Sequence, residues 1–195
     1  MFCFSCRSFF PGDEAYKKEH DMPFDNNNYQ QPTVKGYISA ITDRGITKET
    51  AEKYGVRIQQ DSSGAVVKHY YPYYDVNNTL VANKVRDVAD KTFTADPPGA
   101  MSAGVLFGQL LCQEGGKFVT ICEGELDAMA AYQMLGSKYP AVSIKDGAAA
   151  AVKSCKRSYD FLNSFNNIVV CFDSDEVGQK AAREVAQLFE PNKCK

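Results

Sequence analysis

The chain has 195 residues, with 22 Lys and Arg against 24 Asp and Glu, two His, seven Cys and no Trp; 44% are hydrophobic and 24% charged. That is the composition of a folded globular chain long enough for one medium domain or two small ones, and it excludes wholesale disorder. A net charge of −2 gives no global field that attracts a nucleic acid, so such a partner needs a local basic patch.

No apolar run approaches the roughly 18–20 residues that span a bilayer, and the first residues carry no signal-peptide pattern. The expected setting is cytosolic and reducing. Scattered Cys112, Cys122, Cys155, Cys171 and Cys194 read there as small buried hydrophobes.

In chain order, residues 1–12 are aromatic and carry a CxxC, Cys3 and Cys6. Residues 13–33 are polar without apolar period and read as a linker. Thr47 is the expected N-cap of a short helix and Gly55 its stop. Strands are expected over residues 56–60, 65–74 and 80–85, with Ser62-Ser63-Gly64 and Asn77-Asn78 turning antiparallel hairpins. Residues 95–104 read as a loop leading to Val105-Leu106-Phe107.

The last eighty or so residues change style. Strands are expected at 118–122, 141–144 and 168–172. Helices are expected at 125–135, 147–155, 159–165 and 176–189. Strand and helix in alternation predict a parallel, doubly wound sheet whose chemistry lies at the carboxyl ends of its strands. The fold class is therefore α/β, with a mixed α+β region over 34–116 ahead of a Rossmann-like region over 117–195.

Two of the strand ends carry acids: Glu123-Gly124-Glu125-Leu126-Asp127 and Asp173-Ser174-Asp175-Glu176. In one parallel sheet they would meet at one edge, and carboxylates so close repel unless a cation compensates. Oxygen donors of this kind suit Mg²⁺ or Mn²⁺. A carboxylate left outside the metal shell can act as a general base in phosphoryl transfer. Acids at a helix start also serve as caps whatever the function, which is the plainer explanation of Asp173 or Glu125 taken alone.

Glu-Gly-Glu after one strand, Gly147 after the next and Asp-x-Asp after the third resemble the Toprim domain shared by DnaG-type primases, type IA and II topoisomerases and OLD-type nucleases. TDRGITKETAEKYGV (42–56), NKVRDVADKTF (83–93) and LFGQ (106–109), with VTICEGELDAMAAYQML and IVVCFDSDEVGQKAAREVA, resemble the primase half of the fused primase–helicase of T-seven-type podophages, to which mitochondrial Twinkle is related.

The resemblance covers residues 36–195 and implies an enzyme that makes short RNA primers on single-stranded DNA by metal-dependent nucleotidyl transfer. It implies Glu123 as general base or metal ligand, Asp173 and Asp175 as metal ligands, and Glu125 and Asp127 as auxiliary acids. Two metals would bridge the attacking 3′-hydroxyl and the incoming triphosphate. Lys84, Arg86 and Lys91 match basic positions for nucleotide or DNA; from spacing alone a solvated face fits them equally well. Lys153, Lys156 and Arg157 read as a solubilising face. Tyr70, Tyr71, Tyr73 and Tyr74 offer stacking for bases or, on alternate positions, core.

Cys3 and Cys6 resemble half of a zinc ribbon. Two thiolates, with His20 poorly spaced as a third ligand, are not expected to hold structural zinc. Relatives often carry Gly-His where Lys145-Asp146 stands. The Toprim sheet is expected to be incomplete after Pro191, leaving an open edge. The expected partners are a single-stranded DNA template, ribonucleoside triphosphates and a fused helicase, in the cytoplasm of an infected bacterium and away from membranes. A Toprim nuclease and a non-catalytic DNA-binding module are the competing functions.

Overall fold

The computed structural model describes residues 2–3, 8–9 and 32–195. The chain divides into two compact units, residues 1–30 and 31–195. In the first, β1 (Phe2–Cys3) pairs antiparallel with β2 (Ser8–Phe9). Cys6 and His20 lie outside the described residues.

The second unit opens with α1 (Lys48–Tyr54). Thr47 caps it by accepting the Thr50 amide at 3.2 Å, and Gly55 ends it in the left-handed conformation. Four strands follow: β3 (Arg57–Gln60), β4 (Val66–Tyr74), β5 (Leu80–Asp87) and β6 (Phe93–Asp96), antiparallel in that order. Both expected hairpins are held by an aspartate that accepts amides across its own turn. Asp61 takes Ser63 N and Ala65 N, and Asp75 takes Asn77 N and Thr79 N.

Strand β6 was not expected, since residues 95–104 read as loop. Phe-Thr-Ala-Asp is too short to show a period, and pairing with β5 supplies its order.

The second sheet is parallel, in the order β8 (Ala141–Ser143), β7 (Gly116–Cys122), β9 (Phe165–Cys171). Helices α2 (Glu125–Met134), α3 (Ala151–Arg157), α4 (Tyr159–Asn163) and α5 (Glu176–Ala186) connect and flank it. Val119, Ile121, Val142, Ile144, Ile168 and Val185 are buried in its core. The expected helix at 147–155 is a 3-10 turn at Ala148–Ala150 followed by α3. The expected helix at 159–165 stops at Asn163, because Phe165 is buried as the first residue of β9.

Beyond α5 the chain returns along the edge of β9. Ile168 N donates to Lys193 O at 2.9 Å and Lys195 N to Ile168 O at 2.8 Å, so the edge expected to be open is met by residues 193–195. Cys122 and Cys155 are buried as expected, whereas Cys171 is exposed at the end of β9.

Phe107 joins the two sheets. Its backbone exchanges hydrogen bonds with Ser143 on the outer edge of β8, at 3.0 and 3.1 Å. Its ring stacks on Tyr54 at 5.3 Å and meets Tyr71 and Tyr73 at about 6 Å. Tyr54 completes the joint by donating to Ala141 O at 2.8 Å. Tyr70, Tyr71 and Tyr73 are all buried, so they are core and not a platform for bases.

Candidate active site

The parallel register sets Cys122 beside Cys171, so the residues after β7 and β9 emerge at the same edge of the sheet. Glu123 is half-buried there, and its Oε1 accepts the Ala148 amide at 3.3 Å. That amide is presented by the turn after Gly147, whose φ of 70° and ψ of 179° belong to a region open essentially to glycine alone.

Asp173 and Asp175 are exposed beyond β9. Asp175 is the N-cap of α5 and accepts Gly178 N at 2.7 Å, so the plainer capping role is present together with its place at the site. Asp127 is exposed on the first turn of α2.

Glu125 is different. It is 3% exposed at the start of α2, and its Oε1 accepts from Lys84 Nζ at 2.8 Å and from Tyr73 Oη at 2.6 Å. Burial, with the carboxylate of Glu125 adding to it, pushes the Tyr73 hydroxyl well above its ordinary pKa, so it remains a donor.

Lys84 Nζ also donates to Lys145 O at 2.7 Å and lies 4.8 Å from the Phe93 ring centroid. Arg86, two residues along β5, meets the same ring at 5.8 Å. The structure thus brings Lys84 to Glu125, with Arg86 near the same ring. Lys91 is exposed in the turn between β5 and β6, with φ 56°.

Among the described residues no three His, Cys, Asp or Glu side chains converge as a metal-holding group. The donor set nevertheless fits a hard cation. Glu123, Asp173 and Asp175 offer only carboxylate oxygens at one sheet edge, and Mg²⁺ characteristically takes one or two carboxylates and completes its shell with water and substrate phosphates.

Four residues make contacts that the sequence did not assign to them. Tyr73 needed the fold of β4 against Phe107. Strand β6 brings the Phe93 ring within 4.8 Å of Lys84 Nζ. Lys145 is a lysine buried two residues beyond β8, and its place after the apolar run Ala141–Ile144 was the available signal. Gly178 lies three residues beyond Asp175; a Cβ there would sit 2.3 Å from Asp173 O, so the loop carrying the acids closes only over a glycine.

Residues 120–195 match a family described as Toprim-like, and residues 36–96 match the N-terminal α+β fold of bacteriophage T7 DNA helicase/primase. The DNA helicase/primase of enterobacteria phage T3 is 32% identical over 99% of this chain, which spans 34% of that protein's length. The crystal structure of the primase fragment of the bacteriophage T7 primase-helicase superposes with a TM-score of 0.75 at 34% identity, covering 100% of this chain and 79% of that one. Primase domains of the bacteriophage T7 protein, solved with the lagging-strand DNA polymerase, an RNA/DNA hybrid and dTTP, give a TM-score of 0.72 at 36% identity. That match covers 85% of this chain and 84% of that one.

Proposed function

The chain belongs to the family of bacteriophage T7-type DNA helicase/primases, over their primase part, and from that membership we propose that it is a DNA primase catalytic region. It joins ribonucleotides into short primers on a single-stranded DNA template, inside an infected bacterium. Among the described residues no helix is long and apolar enough to cross a membrane. What supports the reading is that Glu123 and the Asp173–Asp175 pair follow the paired strands β7 and β9 at one edge of the parallel sheet, with Lys84 of the other sheet bonded to Glu125 just beyond β7.

Asp173 and Asp175 would hold Mg²⁺ or Mn²⁺, which would supply charge neutralisation for the triphosphate and a more acidic 3′-hydroxyl. The chain's own groups do the rest. Glu123, whose Oε1 accepts the Ala148 amide, would take the proton of the attacking hydroxyl. The Lys84 ammonium has three donors; Glu125 and Lys145 take two, leaving one for a phosphate oxygen. Arg86, across the Phe93 ring, and exposed Lys91 extend the positive charge toward the template. Asp127 adds negative charge at the start of α2.

By analogy with the T3 relative, whose name couples helicase and primase, a fused helicase is the natural partner. Template-dependent extension of a short oligoribonucleotide on single-stranded DNA tests the reading. Cleavage of the DNA without nucleotides would replace it with a nuclease.

A further inference from the structure

Lys145 lies two residues beyond β8 and two before Gly147, whose turn serves Glu123. It is 6% exposed, and its Nζ lies 2.7 Å from Gly104 O, 3.1 Å from Met101 O and 3.5 Å from Ser102 O. A buried ammonium surrounded by carbonyls is a strong, directed anchor, because each hydrogen bond is charge-assisted. The same residue's own carbonyl accepts Lys84 at 2.7 Å. Three residues later the Ala148 amide donates to Glu123, and Ile144 N, one residue earlier, is tied to Cys122 O at 3.1 Å. One short backbone stretch therefore touches both halves of the acid–base arrangement, and its only buried charge is fastened to the turn at Ala100–Ala103 that precedes the sheet joint.

We propose that Lys145 is a positioning residue of the site: its ammonium, clamped by the carbonyls of Met101, Ser102 and Gly104, fixes the backbone that holds Lys84 through one carbonyl and Glu123 through one amide. The inference rests on the primase reading for its kinetic consequence, though not for its structural one. Lys145 touches no substrate and acts through Lys84 and Glu123. Arg157 separates this role from plain loop anchoring. Its guanidinium also binds that turn, through Ser102 O and Ala103 O, yet it sits on the last turn of α3 and its hydrogen bonds go to the turn, not to Lys84 or Glu123.

The test compares Lys145→Met, Lys145→Gln and Arg157→Met in two measurements: steady-state extension of an oligoribonucleotide, and amide hydrogen exchange over residues 144–150. For Lys145→Met the expected result is a kcat roughly 10- to 100-fold lower, the scale of a small misplacement of reacting groups. KM for the nucleotide stays within about two-fold on the same argument, and exchange over 144–150 accelerates while that over β7 does not. Lys145→Gln, which keeps a neutral donor, moves in the same direction by less and serves if the Met variant does not fold. Arg157→Met lowers the melting temperature with kcat retained. Unchanged exchange over 144–150 in both Lys145 variants overturns the proposal, as does an equal kcat loss in Arg157→Met. A wild-type chain that extends nothing defeats the primase reading instead, and the exchange measurement then decides the clamp by itself.

Discussion

Lys84 on the antiparallel sheet and Glu125 at the head of the first helix of the parallel domain form an ion pair at 2.8 Å, with side chains 16% and 4% exposed. The pair bridges 41 residues of sequence and fastens one sheet to the other beside the acids. Its two members cannot be treated as independent. Removing one partner of a buried pair leaves an uncompensated charge, whereas removing both need cost little.

Lys84→Met alone is accordingly expected to destabilise the fold by ~3–5 kcal/mol. Lys84→Met combined with Glu125→Gln should recover much of that loss. Urea unfolding of the two single variants and the double variant gives the coupling directly. Additive single effects would show that the pair contributes nothing as a pair.

Gly178→Ala places a methyl group where 2.3 Å separates it from the Asp173 carbonyl oxygen, which is backbone and cannot turn aside. The expected cost is ~1–3 kcal/mol, the range for overpacking, together with weakened activity as the Asp173 loop is pushed outward. Thermal melts and extension assays on the same preparation check both. A neutral substitution would mean that the loop has slack the structure does not show.

His69 gives the pH dependence. It is 1% exposed and its Nδ1 lies 2.9 Å from the Tyr71 hydroxyl. Burial lowers its pKa; nearby Asp43 opposes this, while Arg86 and Arg44 reinforce it. The unfolded chain then takes up a proton near pH 6.5 before the folded chain does. By linkage, stability is present above that pH and falls as the pH drops toward the folded value, by at most roughly 1.4 kcal/mol per pH unit for one group. Denaturation midpoints from pH 7.5 to 5 should fall more steeply for the wild type than for His69→Gln. Parallel curves would assign the loss to other groups.

Much of this arrangement was legible in the chain itself, because it rests on local chemistry. Thr47 and Gly55 bracket a helix by capping, and residues 62–64 and 77–78 mark turns. The apolar runs before Glu123 and Asp173 place those acids at strand ends, and parallel pairing then leaves one edge where they can meet. What stayed hidden depends on how the two sheets pack. Nothing near Lys84 in sequence announces Glu125 as its partner, or Lys145 O as its second acceptor. Tyr73 was one of four similar tyrosines until its ring met Phe107 in the joint between the sheets. Strand β6 has too few residues for a period and exists by pairing with β5. The buried charge of Lys145 runs against the expectation for a lysine, and carbonyls from 41 to 44 residues away are what make it tolerable.

The most direct test of the central claim is metal-dependent extension of an oligoribonucleotide on single-stranded DNA by the wild-type chain and by Asp173→Ala. Asp173 is exposed, so its replacement should leave the melting temperature nearly unchanged. The account predicts template-directed incorporation that requires Mg²⁺ or Mn²⁺ and falls by roughly 10²–10³-fold in the variant, the scale of losing one electrostatic stabiliser of the transition state. Incorporation by Asp173→Ala at close to the wild-type rate, with the same metal requirement, would contradict it.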